Sequence, residues 1–465
     1  MRIPYLAALL GALALGACKD ATRPDQNNPS VTDFSTITDL SQVQALTIGV
    51  LNGDRAQIGN EILYGETIGR DGYELTGSEP RFVTELLGPA IPNSDFLGGA
   101  LWPYASVRLA NIGIHGVEGA PATILSAEQQ QATLGYLRTI KALLYLRIVE
   151  SHDTAGAPIN TDIPATDPPA PMSCSNDVKV YVAALLDSAA TNLAAGGSSF
   201  PFVLPPGFAS FSDPTSFLMF NRALAAKADI YIAFRAFAAS GTIDQSALTA
   251  ASNALSGSFL SMVPADLNAG PAHNFSTNSG DAVNPLFQAP ASTVFRANPR
   301  VVNEADPGDH RVATKIITGS PLTQSGLTSS FVYVVHSSPS SPISIISNKE
   351  LILMKAEVLW GQGDYPGALV QSNFIRVNDG GLSAVTPATP GAVLDEILKQ
   401  KRYSLMWESP DRWLDARLFG KLTGAAPPAG VGQERGFDPI PNFPIPFNEV
   451  SARSGDLTQT CTSGS

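Results

Sequence analysis

Residues 348–378, NKELILMKAEVLWGQGDYPGALVQSNFIRVN, carry two helical patterns in tandem with a reversal between them. Leu351, Met354, Val358 and Leu359 share one face of the first, and Ala368, Leu369 and Ile375 share one face of the second. The joint runs from Gly361 to Pro366. Its Gly363, Asp364, Tyr365 and Ala368 resemble the turn of a tetratricopeptide unit, where glycine permits the reversal and alanine lets the second helix pack close. A phosphate loop is excluded by context, because such a loop follows a strand and here a helix precedes the glycines. Scaffolds of this kind grow by repetition, each added unit bringing its own buried face.

The same period recurs along the chain. Ala392 to Trp407 reads as a further helix through Leu394, Ile397, Leu398 and Leu405. Upstream, Ser126 to Glu150 begins with a capping box, Ser126 with Gln129. Val178 to Leu193, Ser216 to Ala239 and Ile243 to Leu260 complete the set. Residues 265–345 lack helical period and hold Pro, Ser, Asn and short β-branched runs such as Phe331 to Val335. That stretch is predicted to be an irregular insertion with short strands, and loops of such length are where a helical scaffold usually meets its ligand. The expected fold class is mostly α: a tetratricopeptide-like helical-hairpin scaffold with long irregular loops and a few short strands. A length of 465 residues then fits one repeat-built domain, with helical hairpins and a closing segment over 347–465.

The N-terminus reads as an export signal. MRIPYLAALLGALALGACKD places one Arg before an apolar run too short to span a membrane. Leu15, Gly16, Ala17 and Cys18 resemble a bacterial lipobox, which predicts cleavage before Cys18 and acylation of its sulfur, enough for stable anchoring. The expected organisation is a signal peptide 1–17, a flexible tether 18–34 and one domain 35–465. Outside the cytoplasm the remaining pair, Cys174 and Cys461, either forms a disulfide that staples the tail to the body or stays as two idle thiols.

Composition narrows the chemistry. With 29 Lys+Arg against 41 Asp+Glu the formal charge is −12, which disfavours nucleic acid as a partner. None of the five His forms a helical H-E-x-x-H zinc site, and no G-x-S-x-G elbow or alternating Asp/Asn calcium loop occurs. His152–Asp153 and Asp309–His310 are sequence neighbours and so point apart. No catalytic residue, metal or cofactor is predicted. Tyr73, Phe82, Phe295, Phe331 and Tyr333 fall in predicted loops, where ring faces stack on sugars or pack into small local cores. These five are the candidate ligand contacts.

Three ordered segments resemble the SusD/RagB family of nutrient-binding outer-membrane lipoproteins. The first carries Glu350, Leu351, Ala356, Glu357, Gly363, Asp364, Ala368, Asn373 and Arg376; the second Lys401, Leu405, Trp407, Glu408, Arg412 and Asp415; the third Pro444, Ile445, Pro446 and Glu449. Trp102, Tyr104, Val107 and Asn111, then Arg138, Ala142 and Tyr145, are similar upstream. Ser404 stands where the family usually has Glu. The physical reading of Glu408, Arg412 and Asp415 is an ion-pair network that locks the last helices. The resemblance implies a non-catalytic, surface-exposed lipoprotein anchored to the outer membrane by its N-terminal lipid. Such a protein captures an oligosaccharide, or failing that a peptide, and passes it to a SusC-like TonB-dependent transporter. A periplasm-facing scaffold that binds another protein through its hairpins, and a lipid-anchored glycan hydrolase, are the competing readings.

Overall fold

The computed structural model describes residues 34–164, 166–423 and 430–462. The predicted signal peptide, Cys18 and the tether as far as residue 33 lie outside the described residues. Phe34, read as the tether's last residue, is buried; its carbonyl lies so close to Gly116 that a Cβ there would come within 2.1 Å.

Helix α1 (Leu40–Ile68) starts at Asp39, whose side chain accepts from the Ser41 and Gln42 amides in a capping box. Sequence periodicity missed this helix. Its second half is buried nearly all round, and Asp54, Gln57, Glu61 and Glu66 are among the buried residues, so no apolar stripe marks it. Nine further long or closing helices follow: α2 (Tyr104–Glu118), α3 (Ala127–His152), α4 (Ser175–Ala194), α5 (Pro214–Ala233), α6 (Gln245–Ser256), α7 (Asn348–Gly361), α8 (Tyr365–Asn378), α9 (Pro390–Leu405) and α10 (Asp411–Leu418). From α2 onward each packs on its successor, and α10 returns to lie against α1. The helical run therefore closes on its first member.

Local chemistry sets the boundaries. Ser126 and Gln129 form the predicted capping box on α3. The reversal between α7 and α8 puts Gly363 at φ +82; Asp364 accepts from the Gly367 amide at 2.9 Å, and Ala368 is wholly buried. Helix α5 stops at Ala233, short of the expected Ala239, because Phe234 and Phe237 turn inward to pack on Trp360 and Phe419. Helix α6 is shorter than expected at both ends, capped by Asp244 and closed by Gly257. Thr389 and Pro390 start α9 early, and it ends at Leu405, two residues before Trp407.

The insertion forms most of a four-stranded antiparallel sheet, in the order β1-β4-β6-β5. Its strands are β1 (Gly72–Glu74), from the chain leaving α1, then β4 (Phe295–Ala297), β5 (Ile316–Gln324) and β6 (Leu327–Tyr333). The β5–β6 hairpin turns through Ser325 and Gly326, both at positive φ, as a tight right-twisted hairpin requires. Two small ladders complete the strands: β2 (Met172–Ser173) pairs in parallel with β8 (Gln459–Thr460), and β3 (Ala272–His273) pairs with β7 (Ile343–Ser344). Beside the β2–β8 ladder a disulfide joins Cys174 to Cys461, their Cα atoms 5.1 Å apart.

Candidate functional site

The sheet meets the helices at Trp407. This residue sits at φ +59, and its N–H donates to the buried Glu66 carboxylate at 3.1 Å. Its ring stacks on Tyr333 at 4.3 Å between centroids and lies 5.6 Å from Phe295. The Tyr333 hydroxyl donates to the Asp71 carbonyl at 2.7 Å. Tyr73 packs in a separate small core with Leu75, Val83, Leu87 and Leu327. Relative exposures of 2%, 5% and 6% for Tyr73, Phe295 and Tyr333 leave no ring face for a ligand. These three are core residues of the sheet, because a strand this short stays folded only by burying its large side chains.

Phe82 and Phe331 are half-buried. Phe331 stands on β6 opposite Thr318 of β5. Phe82 belongs to a cluster on the chain between β1 and α2: its ring centroid is 5.4 Å from that of Phe96, and the Arg81 guanidinium lies 3.5 Å above the Phe96 ring. Glu79 steadies the arginine, accepting from its Nε at 2.7 Å. A guanidinium over a ring keeps hydrogen-bond donors beside an apolar plane, an arrangement able to meet a hydroxylated ring. Arg81 and Phe96 carry no pattern that sequence reasoning reads, since the stretch between them lacks a period. At the head of this chain, Glu74 is pushed up to about 7, chiefly by burial and then by the charge of Glu79.

Beneath the surface, charged side chains form a buried spine from α1 to α10. Asp54 of α1 accepts from Arg147 at 2.9 Å and contacts His273 at 2.7 Å. Arg147 of α3 also meets Glu61 at 3.2 Å and Glu150 at 3.1 Å. Lys227 of α5 bridges Glu150 at 2.9 Å, Glu350 at 3.0 Å and Asp411 at 3.3 Å. Lys401 of α9 then binds Glu357 at 3.0 Å and Asp415 at 2.8 Å. Carboxylates outnumber cations along this path, so burial pushes Glu61 and Asp415 up and Glu350 up to about 7. Asp54 goes the other way: burial opposes its charge, but Arg147 and His273 hold it at about 2.

A second knot closes on Glu408, which meets Lys315 at 2.8 Å and Lys349 at 2.6 Å. Burial again opposes the charge, and the two lysines outweigh it, holding Glu408 at about 2. Glu408 and Asp415 thus sit in the ion-pair network expected for the last helices. Arg412 does not; its Nη2 donates to the Gly430 carbonyl at 2.8 Å.

Of the two His–Asp neighbours, His152 is buried and pushed down to about 3 by burial and the nearby Arg417, while Asp153 pairs with Lys179 at 2.8 Å. Asp309 pairs with Arg311 at 2.6 Å. Neither arrangement joins a histidine to its acid. Among the described residues no cluster of three or more His, Cys, Asp or Glu is placed to hold a metal, and no helix is long and apolar enough to cross a membrane.

No protein-family model matches the sequence, and no curated protein matches it. Solved structures do. The chain is similar to a SusD superfamily protein from Parabacteroides distasonis at 15% identity and a TM-score of 0.68, over 92% of this chain and 99% of that one. It is similar to a surface glycan-binding protein A from Bacteroides uniformis at 12% identity and a TM-score of 0.64, over 89% and 98% of the two chains. A structure solved with a xylogluco-oligosaccharide matches at 17% identity and a TM-score of 0.60, over 81% and 82%. The described chain has the SusD-superfamily fold.

Proposed function

We propose that this chain, built on the SusD-superfamily fold, is a non-catalytic glycan-binding lipoprotein of the outer membrane. It captures an oligosaccharide at the cell surface and hands it to a SusC-like TonB-dependent transporter. The observation that carries this reading is the near end-to-end correspondence with solved SusD superfamily proteins, one of them a surface glycan-binding protein. The lipobox at Cys18 supports the anchor. Of the predicted aromatic set, Phe82 and Phe331 keep surface to meet a sugar, and Phe82 does so beside Arg81 and Phe96. A formal charge of −12 suits a neutral glycan better than an acidic one.

Purification of the tagged full chain in mild detergent tests the transport role. A large outer-membrane barrel recovered in near-equal amount supports it; a soluble periplasmic protein in its place favours the scaffold reading. Cys18→Ala is expected to move the protein out of the membrane fraction, and persistence there sinks the lipid anchor. At the site, Arg81→Ala combined with Phe96→Ala is expected to weaken oligosaccharide binding by about tenfold, roughly 1.4 kcal/mol, with thermal melting unchanged. Titration calorimetry reads the first effect and calorimetric melting the second.

A further inference from the structure

A groove of about 450 Å³ opens between α1 and the segment that leads into α2. None of Arg81, Phe82 and Phe96 lines it. The α1 wall presents Asn52, Gln57 and Asn60, and the opposite wall presents Trp102 and Ser106. Gly53 lets the walls draw together, since a Cβ there would stand 2.3 Å from the Ser106 hydroxyl. No Asp, Glu, Lys, Arg or His lines the groove, whereas three other concavities of the described residues carry charged side chains.

The neutral lining selects its ligand. Amide side chains donate and accept, as hydroxyls do, whereas a carboxylate or phosphate entering here would lose water and find no cation. Gln57 lines the groove at 4% exposure, and its Nε2 has no protein acceptor among the described residues. That nitrogen is itself covered, so the exposed Asn52 and the half-buried Asn60 are the amides a ligand in the groove can reach. Trp102 supplies the apolar surface. Its Nε1 donates to Glu449 at 3.3 Å, and its ring is held by Tyr104 at 4.8 Å and His152 at 4.7 Å between centroids, so the half-buried indole is fixed before any ligand arrives. The volume falls within the roughly 300–1,000 Å³ usual for small-ligand sites.

We propose that this groove is a second glycan subsite, taking a neutral sugar unit with its ring against Trp102 and its hydroxyls on Asn52 and Asn60. This inference rests on the glycan-binding reading and adds a place and a ligand class to it. The test begins with the full chain on an array of neutral tetraoses (cello-, xylo- and malto-) and uronate-containing oligosaccharides, and continues with calorimetric titration of each hit. Ala56→Trp fills the groove from an exposed α1 position, and Asn52→Ala with Asn60→Ala removes its polar arms without touching the core.

The expected result is binding of a neutral oligosaccharide that weakens by about tenfold or more in both variants, at unchanged melting temperature. That binding should shift tryptophan emission in the parent protein and fail to do so in Trp102→Phe. Neutral oligosaccharide affinity within about twofold of the parent in both variants overturns the groove while leaving glycan binding intact. Binding confined to uronates overturns the ligand class, and an array with no hit at all overturns the groove and the glycan reading together.

Discussion

Gly72 and Trp407 are a matched pair. A Cβ on Gly72 would come within 2.3 Å of the Trp407 ring, and that ring is wedged under the sheet by Tyr333 and Phe295. Gly72→Ala must move a tryptophan that is 1% exposed, so a loss of about 1–3 kcal/mol is expected, read as a lower denaturation midpoint at unchanged slope. Lys401 poses the electrostatic counterpart. Lys401→Met leaves Glu357 and Asp415 facing each other in the core, and removal of one partner from such a buried set costs about 3–5 kcal/mol; the same denaturation measurement checks it. Ser404 shows a quieter accommodation. It stands where the SusD/RagB pattern usually has Glu, and its hydroxyl accepts from Arg311 at 3.0 Å while donating to Asp379 at 2.6 Å, so the arginine, already paired with Asp309, reaches a second acid through one relay.

Burial all round does not by itself hide a helix: α3 and α7 are buried nearly all round, yet the Ser126 cap and the Gly363 turn made them legible in the sequence. Helices α3, α4, α7, α8 and α9 follow their periodicity to within a few residues, since Ser126, Asp364 and Thr389 cap where their side chains bond the first amides. Helix α1 escaped because Gly49, Gly53, Gly59 and Gly65 lower its helical propensity and polar Asp54, Gln57, Glu61 and Glu66 hold buried positions. The insertion was read as irregular with short strands, yet which strand pairs with which depends on Gly72, Phe295 and Trp407, residues far apart in sequence. Three of the five candidate contacts turned inward for a related reason: aromatic residues in loops satisfy the same sequence rule whether they face solvent or a local core, and Tyr73, Phe295 and Tyr333 face the core. The β2–β8 ladder gives a prediction at this scale. Reducing the bond between Cys174 and Cys461 is expected to free the tail locally, raising amide exchange at Cys174, whose N–H donates to the Thr460 carbonyl, by the equivalent of about 2–4 kcal/mol. Exchange mass spectrometry with and without reductant decides it, and equal protection in both states refutes it.

For the whole molecule, buried carboxylates inside and outside the spine make stability a two-sided function of pH. Glu350, Glu74 and Asp229 are raised to about 7 in the fold, so folding takes up protons; their contribution is complete below the ordinary carboxylate range and drains away as pH rises through 7. Asp54 and Glu408, held at about 2, contribute above that range and lose it as pH falls toward 2. Melting temperature is therefore expected to peak between about pH 4.5 and 6, and Glu350→Gln is expected to flatten the alkaline side. A profile still rising between pH 7 and 9 would contradict the protonated spine. The disulfide has a mechanical consequence as well. On the anchor proposed above, load would enter through the N-terminus, and between Cys174 and Cys461 the bond bypasses a sequence separation of 287 residues. Drawn out by its two ends, the chain pays out as far as Cys174 and then crosses directly to the tail. Everything between, strands β4 to β6 and helices α4 to α10 included, hangs as a closed loop that bears no load.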